Sequence, residues 1–315
     1  MTTRLTSTLT CALAALLLSA CAREAPPAAA PTPAPQASPA PAVAEGAPRI
    51  LAESTSGLHI QYRVYGSGEP LIVLIHGWSC DSNYWAAQVA ELRKRYTVAT
   101  VDLAGHGGSG ANRTDWSMAN FGDDVARVVN AMPEHPKVIL VGHSMGGPVA
   151  VEAALRLKGR VAGIIGVDTL SDVGLPKPTA SQSAALLVPF EQDFIGTTRA
   201  FVTNNFFTPT SDPVLIRRIA DDMSSAPPEI AIAALKGLGA WNGVQRFAEV
   251  GAPIVLINSA QARTDAERLA KLSAGLKVVT MDGVGHFLMM EDPPRFNALL
   301  ENEIQALVPR PAAGS

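Results

Sequence analysis

The residues with the clearest chemical potential are Gly142-His143-Ser144-Met145-Gly146, a G-x-S-x-G pentapeptide. It follows the apolar run Val138 to Val141 and precedes PVAVEAAL, whose spacing is helical. A serine is a weak nucleophile until a base takes its proton and a turn exposes it. A strand–turn–helix setting provides that exposure. The turn must be so tight that a side chain two positions either side of Ser144 would strike neighbouring backbone, which explains Gly142 and Gly146. The helix that follows points its N-terminus at the site and favours negative charge there. Pro148 falls in the first turn of that helix, where no amide is needed. Of the six histidines, His286 alone follows Ser144 in the chain. The others have quieter expected places. His59 is on an early strand, His76 organises its loop and His106 braces the AGHGGSG turn. His135 stands exposed between two prolines, and His143 faces away from the elbow. Two carboxylates are of interest, Asp168 at the end of GIIGVD and Asp265 in TDAERL. No His/Cys/Asp/Glu cluster has metal-ligand spacing and no glycine-rich phosphate loop is present, so neither metal nor cofactor is expected.

Elements able to hold these residues can be read around them. LHIQYRVY alternates as a strand does, and LIVLIHG is a continuous apolar run suited to a strand buried on both faces. DSNYWAAQVAELRKR has helical spacing. YTVATVDLAGHG is strand then loop, DDVARVVNAM helix, KVILVGHS strand then turn, and PVAVEAALRL helix. RVAGIIGVD, APIVLIN and KVVTMDGVGH are strands, and PPRFNALLENEIQALV is the last helix. Strands alternating with helices of ten or more residues predict a mostly parallel sheet with helices on both faces. Ser171 to Trp241 interrupts the alternation with helical runs split by prolines, and five of the nine phenylalanines lie between Phe190 and Phe207. This segment, about 171–241, is expected to form a helical cap. Most of its phenylalanines should glue the cap together, with one or two lining a pocket beneath it.

Four segments, LIVLIHGW, VDLAGHGGSG, VGHSMGG and DGVGHFLMMEDPPRF, give the chain from Leu58 to Val308 a resemblance to the α/β-hydrolase family. The resemblance implies an α/β fold with a mostly parallel central sheet and a cap inserted before the late strands. It also implies the chain order nucleophile, acid, histidine, which makes Ser144 the nucleophile and His286 the base. Backbone amides of Trp78 and Met145 would form the oxyanion hole. The acid has two candidate places. Relatives usually carry it in the loop after the strand Ile254–Asn258, but here that position falls near Ala262. Asp265 comes three residues later, where it looks like an early helix residue. Asp168 resembles the acid of a subgroup that places it after the earlier strand. Asp168 is therefore the first candidate and Asp265 the alternative, with Asp172 a distant third. Serine at the elbow, where related dehalogenases and epoxide hydrolases have aspartate, favours acyl transfer to water. The expected function is a carboxylesterase or lipase-like enzyme cleaving small to medium apolar acyl esters. Lactonase, amidase, thioesterase or C–C bond hydrolase activity, or a haloperoxidase side activity, is compatible with the same fold. A non-catalytic ligand-binding lipoprotein is the reading from outside enzymology, favoured only by the loop without its acid.

The rest of the chain bears on location. With 315 residues, 47% hydrophobic, the chain can build one large core. A net charge of −3 and no basic stretch give no reason to expect nucleic acid as a partner. Residues 1–20 read as a signal peptide: Arg4 begins it, Leu9 to Leu18 is almost wholly apolar, and Leu18-Ser19-Ala20-Cys21 resembles the bacterial lipobox. That resemblance implies lipid on Cys21 and a membrane anchor in the cell envelope. Ala22, rather than aspartate, points to the outer membrane, facing the periplasm. Residues 21–48 then form an Ala/Pro-rich tether with too little apolar surface to fold. With Cys11 in the signal and Cys21 acylated, Cys80 is left without a partner for a disulfide. The folded domain is expected over 49–315.

Overall fold

A computed structural model describes residues 49–54 and 57–308. The signal segment, Cys21 and the Ala/Pro-rich tether lie outside the described residues. Eight strands form one sheet: β1 (Arg49–Glu53), β2 (His59–Tyr65), β3 (Leu71–Ile75), β4 (Thr97–Val101), β5 (Val138–His143), β6 (Val161–Val167), β7 (Ile254–Ser259) and β8 (Lys277–Met281). Their spatial order is β1-β2-β4-β3-β5-β6-β7-β8. The pairs β1–β2 and β2–β4 are antiparallel, and every pair from β4 across to β8 is parallel. The chain is thus an α/β protein whose mostly parallel sheet is flanked by helices.

The apolar runs explain the layering. Every residue of β3, β4 and β5 is buried, as strands covered on both faces require. The covering helices include α1 (Ala86–Leu92), α2 (Met118–Asn130) and α3 (Gly146–Leu157). The first begins later than its pattern suggests. Asp81 accepts from the Asn83 N–H and opens a single 3₁₀ turn, Ser82–Trp85, and the α-helix starts only after it. β1 was not anticipated. Five residues at the antiparallel edge, directly after a proline-rich stretch, carry too little pattern to announce a strand.

Between β6 and β7 the chain makes five helices: α4 (Ala180–Gln192), α5 (Phe194–Asn205), α6 (Pro213–Ser224), α7 (Pro228–Ala240) and α8 (Gly243–Glu249). Proline sets their starts at Pro213 and Pro228, and Asp193, Asp212 and Asn242 cap three of them. Their connection to the sheet layer is polar and specific. Glu152, in α3, is buried and receives Trp241 Nε1 at 2.8 Å, Arg246 Nε at 2.9 Å and Arg156 Nη1 at 3.0 Å. A buried carboxylate is tolerated only with such partners, so Glu152 ties the end of the helical insertion to the helix behind Ser144. At the other side, the Tyr84 hydroxyl donates to Asp222 Oδ2 at 2.6 Å. Three further helices, short or terminal, complete the described residues: α9 (Ala266–Ala270), α10 (Leu288–Glu291) and α11 (Pro293–Leu307). Among the described residues, no helix is long and apolar enough to cross a membrane.

Candidate active site

Strand register fixes the first two residues of the site. His143 of β5 pairs with Val167 of β6. Ser144 and Asp168 are each one residue beyond that rung, at the carboxyl edge where ligand sites of open parallel sheets gather. Both have left-handed backbone conformations, φ 51° at Ser144 and 44° at Asp168. Such φ values are uncommon outside glycine and cost energy that the surroundings must hold.

The surroundings of Ser144 are glycines and backbone. A Cβ on Gly142 would stand 2.1 Å from Gly146 O, and one on Gly146 would stand 2.5 Å from Ile75 O. Neither contact is possible for a real side chain. The Gly77–Trp78 turn lies against the elbow, with a Gly77 Cβ position 3.2 Å from Ser144 Cβ. Met145 is buried and directly precedes α3. Trp78 is buried too, and its indole Nε1 donates to Ala231 O at 2.8 Å, so its ring belongs to the interface with α7.

Asp168 is brought to His286. His286 Nδ1 lies 2.7 Å from Asp168 Oδ2, and the second oxygen, Oδ1, accepts from the Ser259 N–H at 2.7 Å. Ser259 ends β7. The end of β7 therefore contributes an amide that holds the Asp168 carboxylate, and the loop after it brings no carboxylate to His286. Asp265 stays apart: it caps α9, accepting from the Arg268 N–H at 3.0 Å, and its side chain is exposed. Asp172 is exposed as well.

Residues not singled out by sequence brace this arrangement. Asn258 accepts from the Thr169 N–H at 3.1 Å and donates to Thr169 O at 3.0 Å and to Thr264 Oγ1 at 2.9 Å. Thr169 in turn donates its hydroxyl to Ser144 O at 2.6 Å. The turn that carries Asp168 and the turn that carries Ser144 are thus joined directly. The visible signal was a polar Asn258 closing an apolar strand, which implies a buried hydrogen-bonding task. Glu291 is the other. It accepts from the Gly285 N–H at 2.8 Å and from the Ser211 hydroxyl, and burial raises its pKa against those hydrogen bonds.

The remaining histidines sit largely as anticipated. His76 accepts from the Leu103 N–H at 3.0 Å, and its Nδ1 is 2.8 Å from Gly77 O, so it shapes the Gly77–Trp78 turn. His106 Nδ1 lies 2.9 Å from Ala104 O. Burial, with the charge of His76 adding to it, depresses the pKa of His106 to about 3. His143 points its Nε2 to His286 O at 3.0 Å. His135 departs from expectation: it is half-buried and pairs with Glu69 Oε1 at 2.7 Å. Asp102, in the VDLAGHG segment, collects Gln61, Ser82 and Gly108 as donors. Burial works to raise its pKa, but the hydrogen bonds from Gly108 and Ser82, together with His76, hold it below the usual range.

Above the site the phenylalanines form a line of ring contacts. Trp78 meets Phe190 at 5.9 Å, Phe190 meets Phe201 at 5.8 Å, Phe201 meets Phe206 at 5.0 Å, and Phe206 stacks on His286 at 4.3 Å. These edge and stacked geometries are the favoured ones for aromatic pairs. Among the described residues, no group of three or more His, Cys, Asp or Glu could hold a metal ion.

Known proteins share this architecture. A thermophilic esterase from Thermogutta terrifontis superposes with a TM-score of 0.72 at 24% identity, over 83% of this chain and 99% of that one. Est816, described as an N-acyl homoserine lactone degrading enzyme, gives 0.69 at 26% identity over 81% and 99%. In sequence, an uncharacterised protein of Mycobacterium bovis is 27% identical over 284 residues, 83% of each chain. The pimeloyl-acyl-carrier-protein methyl ester esterase of Aliivibrio salmonicida is 34% identical over 148 residues, which span 46% of this chain and 54% of that protein. The sequence profile of the alpha/beta hydrolase family matches residues 72–299, a span that contains Ser144, Asp168 and His286. With the serine elbow at the carboxyl edge of a mostly parallel sheet and most of the chain matched, the protein belongs to the alpha/beta hydrolase family.

Proposed function

We propose that the protein is a serine esterase that cleaves small to medium apolar acyl esters. The observation that carries this reading is the 2.7 Å contact between His286 Nδ1 and Asp168 Oδ2, beside a serine held at positive φ. With Nδ1–H donated to the carboxylate, Nε2 is the nitrogen left to accept a proton. In the first step Ser144 Oγ bonds to the ester carbonyl carbon while its proton passes to His286. The carbonyl electron pair becomes an oxyanion facing the amides of Trp78 and Met145. Collapse breaks the C–O bond, and His286 returns the proton to the departing alcohol. Water then repeats the sequence on the acyl-enzyme and releases the acid. Two preorganised amides matter because losing one such donor typically costs about 10²–10³ in rate. The preference for apolar acyl groups is supported by the ring line from Trp78 to Phe206.

The similarity to Est816 gives a second bond type a specific motive, since a lactone is a cyclic ester and the same steps open it. The non-catalytic reading rested on a late loop without an acid, and Asp168 at His286 removes that motive. Replacement of Ser144 by Ala should abolish hydrolysis of p-nitrophenyl acyl esters while leaving the melting temperature near that of the parent. Turnover surviving in the variant would refute the assignment. A screen over acyl length, lactones and amides then orders the substrates. Location is a separate proposal, motivated by LSAC at 18–21: the mature chain begins at a lipid-bearing Cys21, and a tether carries the domain off the membrane. Mass spectrometry of the mature N-terminus should find that lipid, and an unmodified Cys21 would end the idea.

A further inference from the structure

Two ties join the helical cap to the loop that carries His286. The His286 backbone N–H donates to Phe206 O at 2.7 Å. The Phe206 ring also covers the imidazole, with centroids 4.3 Å apart and planes inclined by 26°. Gly285 permits this approach, because a Cβ there would stand 2.2 Å from Phe206 O. The second tie is Glu291, which accepts from both the Gly285 N–H and the Ser211 hydroxyl. Both ends of the segment 206–211 are therefore fastened to the histidine loop.

The face of an aromatic ring attracts a cation far more than a neutral ring. In the proposed reaction His286 is neutral at rest and becomes an imidazolium only as it takes the Ser144 proton. A ring stacked on it is then worth more in the transition state than in the ground state, which is the condition for accelerating the chemical step.

We propose that Phe206 is a positioning residue for His286: its carbonyl fixes the histidine backbone and its ring stabilises the imidazolium that forms during turnover. The proposal rests on the triad reading above and makes the cap part of the machinery. The other groups facing His286 are Asp168 from the end of β6, Glu291 from α10, and His143 from the end of β5, whose ring is 4.7 Å away. The two carboxylates also favour the cation, and both persist when the ring alone is removed. His143 brings no competing charge, since burial, and next the charge of His286, hold its pKa well below the ordinary value.

The test is an NMR titration of the His286 ring in the full chain, in a Ser144→Ala background with and without Phe206→Leu. Leucine keeps the site apolar and the carbonyl in place, and removes only the ring face. The expected result is a His286 pKa lower by about half a unit. In the chain with Ser144 intact, Phe206→Leu should lower kcat about threefold or more with KM little changed, and Phe206→Tyr should restore both readouts. Phe206→Met provides a second ringless variant should the leucine variant fold poorly. An unchanged His286 titration in the ringless variant would overturn the proposal, whatever happens to kcat. Because the titration needs no turnover, it can fail while the esterase reading stands. Ester hydrolysis surviving Ser144→Ala would instead bring down the esterase reading itself.

Discussion

In the proposed triad Asp168 is the residue on which the site turns, and its neighbours are those an orienting acid would need. Its carboxylate is almost fully enclosed, with one oxygen on His286 Nδ1 and the other on the Ser259 amide. An acid so held would fix the histidine tautomer and would stabilise the imidazolium as it forms. Asp168→Asn keeps the shape but replaces an acceptor, and it should lower kcat by about 10⁴-fold. Asp265→Asn touches only the start of α9, and steady-state kinetics on an activated ester should find it within a few-fold of the parent. The opposite pattern would return the acid to the late loop. Asp168 stood first among the candidates in the sequence because the position usually acidic falls near Ala262 and the first acid of that loop, Asp265, comes three residues later. The Ser259 amide was not legible, since a backbone donor leaves no trace in residue type. Asn258 left a faint one, a polar side chain closing an apolar strand.

At the scale of elements, what the sequence revealed depended on whether a pattern was local. The strands β3 to β7 and helices α2 and α3 announce themselves through apolar runs and helical spacing, because burial on two faces or on one stripe dictates those patterns. The elbow was legible in the same way. Gly142 and Gly146 are demanded by backbone contacts within five residues and with β3. β1 is the counter-example: RILAE is short, lies at an edge and pairs only with β2, so little in its composition is constrained. The cap was visible as helices and phenylalanines, but its seating was not. Phe206 meets His286 across 80 residues of chain, and Trp78 meets Phe190 across more than 100. Those pairings follow from the register of the whole sheet, which puts the β3, β5, β6 and β8 loops at one edge, and no window of sequence contains it.

For the whole molecule, the same edge rests on a layer of buried histidines, and this has a consequence for stability in acid. His76, His106 and His143 all have pKa values depressed chiefly by burial, His106 to about 3. Unfolding returns each to an ordinary value of 6.5, so below that pH the unfolded chain binds more protons than the folded one. Stability from these groups is complete above pH 6.5 and declines as pH falls toward 3. Between pH 7 and pH 5, His106 alone accounts for about 2 kcal/mol, and His76 and His143 act in the same direction. Some buried acids oppose this. Asp124 is raised to about 6, first by burial, and its ionisation in the folded state removes about 1 kcal/mol as pH rises from 5 to 7. Burial raises Asp222 and Glu291 in the same sense. Asp102, held low, loses its contribution only below the ordinary carboxylate range and stays out of this window. The net slope of the parent therefore mixes both signs, and a variant must isolate the histidine share. Urea unfolding of the parent and of His106→Gln at pH 7 and pH 5 does so, because the variant keeps every opposing acid. The loss of stability between the two pH values should be smaller in His106→Gln by about 2 kcal/mol. Equal losses in the two proteins would mean that His106 is not held neutral beneath the candidate site.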